Sequence, residues 1–299
     1  MKISGFSFAR NADTLGYPVA ESIRSILPVC DEFVVAVGNG DPGDRTRGLI
    51  EEIGSPKIRI IDTEWTDRDT LRSRIYSQQT NLALAQCTGD WCFYIQADEV
   101  MHEQYLPAVR ARCEALLDNT QVEGLLFAFR HFWGDYGHYQ DAHGWYPFEI
   151  RIVRNRIGVQ SINDAQSFRK GDRKLQVAYA NAAMFHYGWV RHPRLMQQRN
   201  RAVRTTYQGN DAAAFQYDKA PEAYDFGAVD ALPAFSGTHP AAMEQRIQAM
   251  DWAHLLVRKG PLRPPGQSLK HRILTLIEKR FFGGKQVGGY RNYVLLKRV

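Results

Sequence analysis

Cysteine is scarce in this chain: Cys30, Cys87, Cys92 and Cys113 are the four among 299 residues, and no two form a CxxC pair. A disulfide framework is therefore not expected, and a reduced, cytoplasmic setting fits better. Long apolar runs are missing too. No window approaches the roughly 20 consecutive apolar residues of a membrane span. The opening stretch MKISGFSFARNAD lacks the apolar run of about 7–15 residues that marks a secretory signal, so export is not expected. Internal repeats and low-complexity tracts are absent, while 44% hydrophobic and 23% charged residues suit an ordinary globular chain.

Acidic residues are scarce in one place only. From Leu255 to Val299 there are eleven Lys or Arg and a single Glu, a balance of +10. The rest of the chain holds 27 basic against 31 acidic residues, so the net +6 belongs to the tail. That pattern argues against a protein built around nucleic acid. It leaves a basic tail able to meet anionic lipid or an acidic partner.

The first hundred residues alternate between two periodicities. Strands are expected at Ile3–Ala9, Glu32–Val37, Lys57–Asp62 and Cys92–Ile95, and helices at Thr14–Leu27, Thr46–Ile53 and Thr70–Gln86. Such alternation implies an α/β fold, a mostly parallel sheet flanked by helices. Ligands bind such sheets beyond the carboxyl ends of the strands, where Arg10–Asn11, Asn39–Asp41 and Gln96–Asp98–Glu99 fall. Further on, a helix is expected at Glu103–Leu117, strands at Gly124–Phe132 and Phe148–Arg154, and helices at Arg194–Tyr207, His239–Val257 and Leu269–Phe282. The Gly260–Gly266 stretch (GPLRPPG) breaks the chain before the last of these, and Gln208–Pro240 reads as loop. The expected organisation is a domain over 1–207, with a nucleotide-binding half at 1–100 and an acceptor half at 101–207. A loop-rich and helical extension with a basic tail covers 208–299.

The segment DWCFYIQADEV (Asp90 to Val100) carries the sharpest chemistry. An apolar strand ends in Gln-Ala-Asp-Glu, which sets Asp98 at its carboxyl edge. A carboxylate there can hold a hard divalent cation against a diphosphate. The other reading is an acidic turn capping the next helix. Upstream, a helix bearing Asn81 runs into Gly89-Asp90, then the strand, then the acidic turn. This succession resembles the family 2 glycosyltransferases, whose pattern is an Asn on a helix, Gly-Asp, an apolar strand and Asp-x-Asp. Within that family it is similar to lipopolysaccharide-core and related cell-surface sugar transferases, which read Asp-Ala-Asp-Glu here. The likeness runs over roughly residues 1–190.

The resemblance implies a GT-A-like (Rossmann-like) domain, a nucleoside-diphosphate sugar donor and a divalent cation, Mn²⁺ or Mg²⁺. It implies an inverting transfer to a hydroxyl of a saccharide or lipid-linked acceptor. Asp98 becomes the direct metal ligand, and His186, in FHYGW, the residue completing the shell. Without the resemblance, a His beside aromatics reads as a packed core residue. Basic residues follow it at Arg191, Arg194, Arg199 and Arg201. The donor-contacting set is Ala9, Arg10, Asn11, Asn39, Arg74, Asn81, Gln96, Ala97 and Asp98. Two positions depart from the pattern. Gln96 stands at the first Asp of Asp-x-Asp and brings no charge, and Gly38 or Asn39 replaces the base-reading Asp after the second strand. Asp44 reads more simply as a helix cap.

Inversion needs a carboxylate to take the acceptor's proton. Asp164 stands about ten positions past Arg151–Asn155, which matches the relatives' Arg-x-x-Arg-Asn strand; Glu149 is the second candidate, with pairing to an Arg as its simpler reading. The aromatic loop Trp133–Tyr146 suits the acceptor side. For Leu269–Phe282, with Ile273, Leu274, Ile277 and Phe281 on one face, two readings stand. One is contact with an anionic membrane, which would place the protein at the inner face; the other is packing on its own domain or a second subunit. Two rivals keep the fold: a sugar nucleotidyltransferase, disfavoured because Phe6–Asn11 is not a Gly-rich loop, and a non-catalytic protein that binds a nucleotide-sugar or saccharide.

Overall fold

The computed structural model describes residues 1–65, 74–256, 268–283, 285–289 and 291–296. Its first half follows the sequence periodicity closely. Strand β1 (Ile3–Ala9) is followed by helix α1 (Val19–Ile26), β2 (Glu32–Gly38), α2 (Thr46–Glu51) and β3 (Ile58–Thr63). Helix α3 (Arg74–Ala85), β4 (Trp91–Tyr94), the short β5 (Glu99–Met101) and α4 (Leu106–Ala115) come next. The part of the expected third helix before Arg74 and the Gly260–Gly266 breaker lie outside the described residues. Helix α1 starts later than expected because Gly16 has φ +68° and Pro18 stands at its N-cap. Residues 11–17 are thereby left as a loop at the end of β1.

The second half is richer in strands than expected. It contains β6 (Gly124–Trp133), β7 (Tyr139–Gln140), β8 (Phe148–Arg154), β9 (Val159–Ile162), β10 (Ser167–Lys170) and the long β11 (Arg173–Trp189). Helices α5 (Pro193–Gln208), α6 (Asn210–Tyr217), α7 (Glu244–Gln248) and α8 (Leu269–Phe281) follow, and β12 (Tyr293–Leu295) brings the chain back to pair with β11. The helix expected at His239–Val257 is a correction. Pro240 starts a 3₁₀ turn at Ala241–Met243, α7 ends at Gln248, and a second turn covers Ala253–Leu255. Met243, Ile247, Met250 and Trp252 all pack on one aromatic cluster, and the Trp252 indole donates to the Gly134 carbonyl. Those contacts need a bent path.

The expected α/β architecture is present, with a mixed sheet. Strand order is β3-β2-β1-β4-β8-β6-β11-β10-β9; β12 and β5 pair β11, and β7 pairs β6. The β3-β2-β1-β4 half is parallel, whereas β8 runs antiparallel to both β4 and β6. Period-two alternation sorts each strand between two cores. Val35, Val37, Trp91 and Phe93 pack with Ile23 of α1, Ile50 of α2 and Cys113 of α4. Val34, Ala36, Cys92 and Tyr94 face the other way, onto Ala83 and Leu84 of α3 and Phe168 of β10. Both faces are covered, which is why these strands read as unbroken apolar runs.

The Arg-x-x-Arg-Asn strand is structural throughout. Arg154 lies over the Trp91 ring at 4.3 Å and donates to the carbonyls of Leu116, Leu117, Asn119 and Val122 around the end of α4. A guanidinium there meets the helix's orphan carbonyls and its negative dipole end. Asn155 donates to the Cys87 and Gly89 carbonyls, holding the Gly-Asp turn ahead of β4.

Candidate donor and cation site

A cleft of about 960 Å³ opens beyond the carboxyl ends of β1 and β4. Ala9, Arg10, Asn11, Gln96, Ala97, Asp98, Asp164 and His186 all line it, drawn from four separated stretches of chain. Strand pairing makes this possible. In β11, His186 is paired with Glu99 of β5 on one side and His131 of β6 on the other. Asp98 immediately precedes Glu99, and the Tyr187 amide donates to its carbonyl at 2.8 Å. The Asp98 Oδ2 and His186 Nε2 atoms end 3.6 Å apart.

That spacing suits a shared cation. A divalent ion bonded at about 2.1 Å to two ligands roughly 90–110° apart separates them by about 3.0–3.5 Å. Gly188 leaves the space open: a Cβ there would lie 2.5 Å from His186 Nε2 and 2.8 Å from Asp98 Oδ2. Among the described residues no group of three or more His, Cys, Asp or Glu converges that could hold a metal ion; Asp98 and His186 are the two such side chains that meet here. Burial alone would push the Asp98 carboxyl up. His186 beside it, with Arg191 and Arg199 further off, outweighs that and holds it well below the carboxylate range.

Asp98 caps no helix. The next helical turn, Glu103–Tyr105, is capped by His102, whose ring accepts from the Gln104 amide. Glu99 is fully buried and forms a two-pronged pair with Arg151, Nε to Oε2 at 2.8 Å and Nη2 to Oε1 at 2.5 Å. Gln96 is a latch. Its amide donates at 3.3 Å to both the Tyr94 hydroxyl and the Ala165 carbonyl, tying the donor turn to the loop that carries Asp164.

Several expected contacts do not reach the cleft. Asn81 uses both ends of its carboxamide on Ser161, donating to its carbonyl at 3.0 Å and accepting from its amide at 2.8 Å, and so clamps α3 to β9. Asn39 accepts from the Trp65 amide, and its carbonyl takes the Arg10 Nε–H; Trp65 and Asp41 line the cleft instead. Gly38 is explained by the same tryptophan, since a Cβ there would meet Trp65 Nε1 at 2.4 Å. Arg74 opens α3, exposed and away from the lining.

Glu149 is buried beneath Gln166, accepts from Gln166 Nε2 at 2.9 Å and from Asn292 at 3.3 Å, and makes no ion pair among the described residues. Burial raises its pKa. Asp164 is half-buried on the cleft wall. Of the basic set, Arg199 and Arg201 line the cleft. Arg191 lies over the Tyr17 ring at 4.1 Å and bonds the Leu15 carbonyl, while Arg194 pairs at the surface with Glu222. The aromatic loop is largely core. Trp133 stacks on Trp189 and Tyr136 packs on Tyr187, leaving Tyr146 as its cleft residue.

Sequence reasoning passed over His131, which is 2% exposed and sits with its Nδ1 3.0 Å from His186 Nδ1. Its signal is visible afterwards as an imidazole inside the apolar run GLLFAFRHF.

No protein-family model and no curated protein matches the sequence. Solved structures similar to it include glucosyl-3-phosphoglycerate synthase from Mycobacterium tuberculosis in complex with Mn²⁺, UDP and phosphoglyceric acid, at 19% identity, 44% of this chain, 43% of that one and a TM-score of 0.29. Another is S. aureus TarS, at 14% identity, 69% of this chain, 39% of that one and a TM-score of 0.39. The chain spans less than half the length of these structures.

The buried pair gives a stability test. Arg151→Met leaves the Glu99 charge uncompensated and should cost about 3–5 kcal/mol in urea unfolding, with much of the loss recovered by adding Glu99→Leu. Equal stability of the wild type and Arg151→Met would show that the pair does not hold the turn.

Proposed function

We propose that the chain is an inverting glycosyltransferase with a GT-A-like donor site, moving a sugar from a nucleoside-diphosphate donor to a hydroxyl of a saccharide or lipid-linked acceptor. The observation that carries this reading is the single cleft in which Arg10, Asn11, Asp98, Asp164 and His186 converge. The nucleotide lies against the ends of β1 and β4, between Arg10 and the Phe8–Trp65–Tyr76 aromatic wall. Asp98 and His186 hold the divalent cation, Mn²⁺ or Mg²⁺. When bound, that ion supplies a Lewis acid for the diphosphate.

The chain's own residues do the rest. Arg199 faces the leaving diphosphate as positive charge, and Arg201, paired with Asp218 at 2.8 Å, lies beside it on the cleft wall. Asp164 takes the proton from the acceptor hydroxyl as its oxygen attacks the anomeric carbon and the carbon–phosphate-oxygen bond breaks. Glu149, buried behind Gln166, supports that loop instead. The donor side comes from residues 1–100, the acceptor side from 101–207, and 208–299 forms the extension.

Residues beyond the cleft bear on the acceptor. Helix α8 docks through its polar edge: Glu278 accepts from His143 at 2.8 Å, Lys279 pairs with Asp141, and the His143 amide donates to Thr275. Leu269, Leu276 and Phe281 are left about 70% exposed, with Ile273 and Ile277 beside them and Lys270 and Arg280 interspersed. An apolar face with long basic side chains fits an anionic lipid surface, the setting in which a lipid-linked acceptor is met. No helix among the described residues is long and apolar enough to cross a membrane.

Two experiments test these readings. Asp164→Asn should lower kcat by about 10²–10⁴-fold while leaving donor affinity intact, whereas Asp98→Asn should weaken Mn²⁺-dependent donor binding; thermal shift with UDP, GDP, dTDP and CMP donors reads the second. No response of the wild type to any donor sinks the transferase reading. For α8, Leu276→Glu with Phe281→Glu should reduce co-sedimentation with phosphatidylglycerol vesicles at least about tenfold, and a wild type that stays in the supernatant rules the lipid contact out.

A further inference from the structure

A second cavity, of about 350 Å³, opens where the start of α5 meets the C-terminal extension. Its walls include Arg194 from α5, Tyr224, Asp225 and Phe226 from the loop beyond α6, and Leu255. Hydrogen bonds pin those walls. The Tyr224 amide donates to the Pro193 carbonyl at 3.0 Å, Gln197 to the Pro221 carbonyl at 2.8 Å, and the Trp133 indole to the Phe226 carbonyl at 3.0 Å. A concave space between two parts of a chain, lined by aromatic rings and a few polar groups, is the usual form of a small-ligand site. The polar groups set the ligand's class. Arg194 pairs with Glu222 at 3.7 Å, and a guanidinium has further N–H groups to give. Asp225 spends Oδ1 on the Gly227 amide at 2.8 Å and keeps acceptor capacity. The Asp225 and Glu222 carboxylates outweigh the guanidinium, so an anion meets no surplus of positive charge. Donors and acceptors beside the Tyr224 and Phe226 rings, which meet edge to face at 4.9 Å, match a neutral sugar, with hydroxyls at its rim and C–H groups on its faces.

The cavity adjoins the cleft. Arg194, Gln198, Arg201 and Thr205 are spaced for one face of α5; the first lines the cavity and the others line the cleft. One helical turn, about 6 Å along the axis, separates Arg194 from Gln198. Trp189 touches both spaces: Arg199, a cleft residue, lies over its ring at 5.3 Å, and the Tyr224 ring is centred 6.0 Å away. We infer that this second cavity is a saccharide subsite, which holds a sugar of an oligosaccharide acceptor away from its reacting hydroxyl. The 208–299 extension thereby takes part in recognition, since Tyr224, Asp225, Phe226 and Leu255 all belong to it. An acceptor that fills both spaces is longer than a single sugar, so the geometry favours a saccharide chain over a free monosaccharide. Binding energy gained there, remote from the bond being made, serves to hold the acceptor hydroxyl in place.

The inference rests on the proposed transferase reading for its purpose, though the binding is observable without donor or cation. The probes are neutral malto-, cello-, manno- and chito-oligosaccharides, followed by saturation-transfer difference NMR on the whole chain. At least one series should bind the wild type, and its longer members more tightly than its monosaccharide. Ala223→Trp, at an exposed position on the cavity wall, should fill the space and abolish that binding. Arg194→Ala, at the surface, should weaken it about tenfold, the loss expected for a hydrogen bond to a charged group. Both variants should keep the wild-type melting temperature, which separates a blocked site from a damaged fold. Binding of none of the four series, or binding unchanged in both variants, overturns the inference. A wild type that binds an oligosaccharide through this cavity yet responds to no nucleotide donor keeps the subsite and sinks the transferase reading instead.

Discussion

The buried pair between Glu99 and Arg151 organises everything around the cleft. Both side chains are fully excluded from solvent, and two nearly parallel hydrogen bonds join them. A pair this deep gives little net stability, because desolvation consumes most of the attraction. Its effect is positional. Glu99 Oε2 also takes the Gln96 amide, which closes the Gln96–Ala97–Asp98 turn from behind. Arg151 reaches the other way, to the Gln166 carbonyl, and so grips the loop that presents Asp164. One guanidinium therefore spaces the proposed cation ligand from the proposed base. Its Cζ lies 5.4 Å from the centre of the Tyr94 ring and 4.8 Å from that of Phe129, so two aromatic faces flank it.

Backbone conformation at the rim follows the same logic. Asn11, Asn163 and Ala165 all have φ between 52° and 61°, a region that costs a residue with a side chain roughly 1–3 kcal/mol. Two of them are held by a bond from elsewhere in the chain. Asn11 accepts the Asp41 amide through its side chain, and the Ala165 carbonyl accepts from Gln96. Each of those bonds ties a loop at the rim of the cleft to a separate stretch of chain. Preorganised groups of this kind avoid reorganisation during reaction.

Legibility in the sequence followed sequence distance. The parallel half of the sheet was readable because period and punctuation are local, and Asp98 stood out because it ends an apolar strand; His186 was singled out only through the family resemblance. Asn81 sat in the expected place yet its amide is engaged by Ser161, 80 residues away, which nothing local encodes. Asn39 was read as a donor contact, but its side chain is engaged by the Trp65 amide, and Trp65 packs against Gly38. His131 stayed hidden because its partner is set by the register of β6 on β11. Helix α8 shows the limit of periodicity most plainly. Its apolar stripe was readable, but the choice of which face docks was made by Glu278 and His143, and the stripe turned outward.

Gln96 was the conspicuous departure from the resembled pattern, and the structure supplies a reason for it. A carboxylate at 96 has no hydrogen to give the Ala165 carbonyl, which only accepts. With Asp in that place, the left-handed Ala165 would lose its tie to the donor turn. The amide thus exchanges a negative charge beside Asp98 for a link between the Gln96–Asp98 turn and the loop that carries Asp164. Its electrostatic consequence falls on the ligand. In the proposed site, a divalent cation held by Asp98 and His186 would keep a net positive charge; Arg199 lines the same wall, while Arg10 and Arg201 there are paired with Asp41 and Asp218. In the proposed reaction, negative charge builds on the departing diphosphate. With one carboxylate in place of two, more of that cation's charge would be left to oppose it.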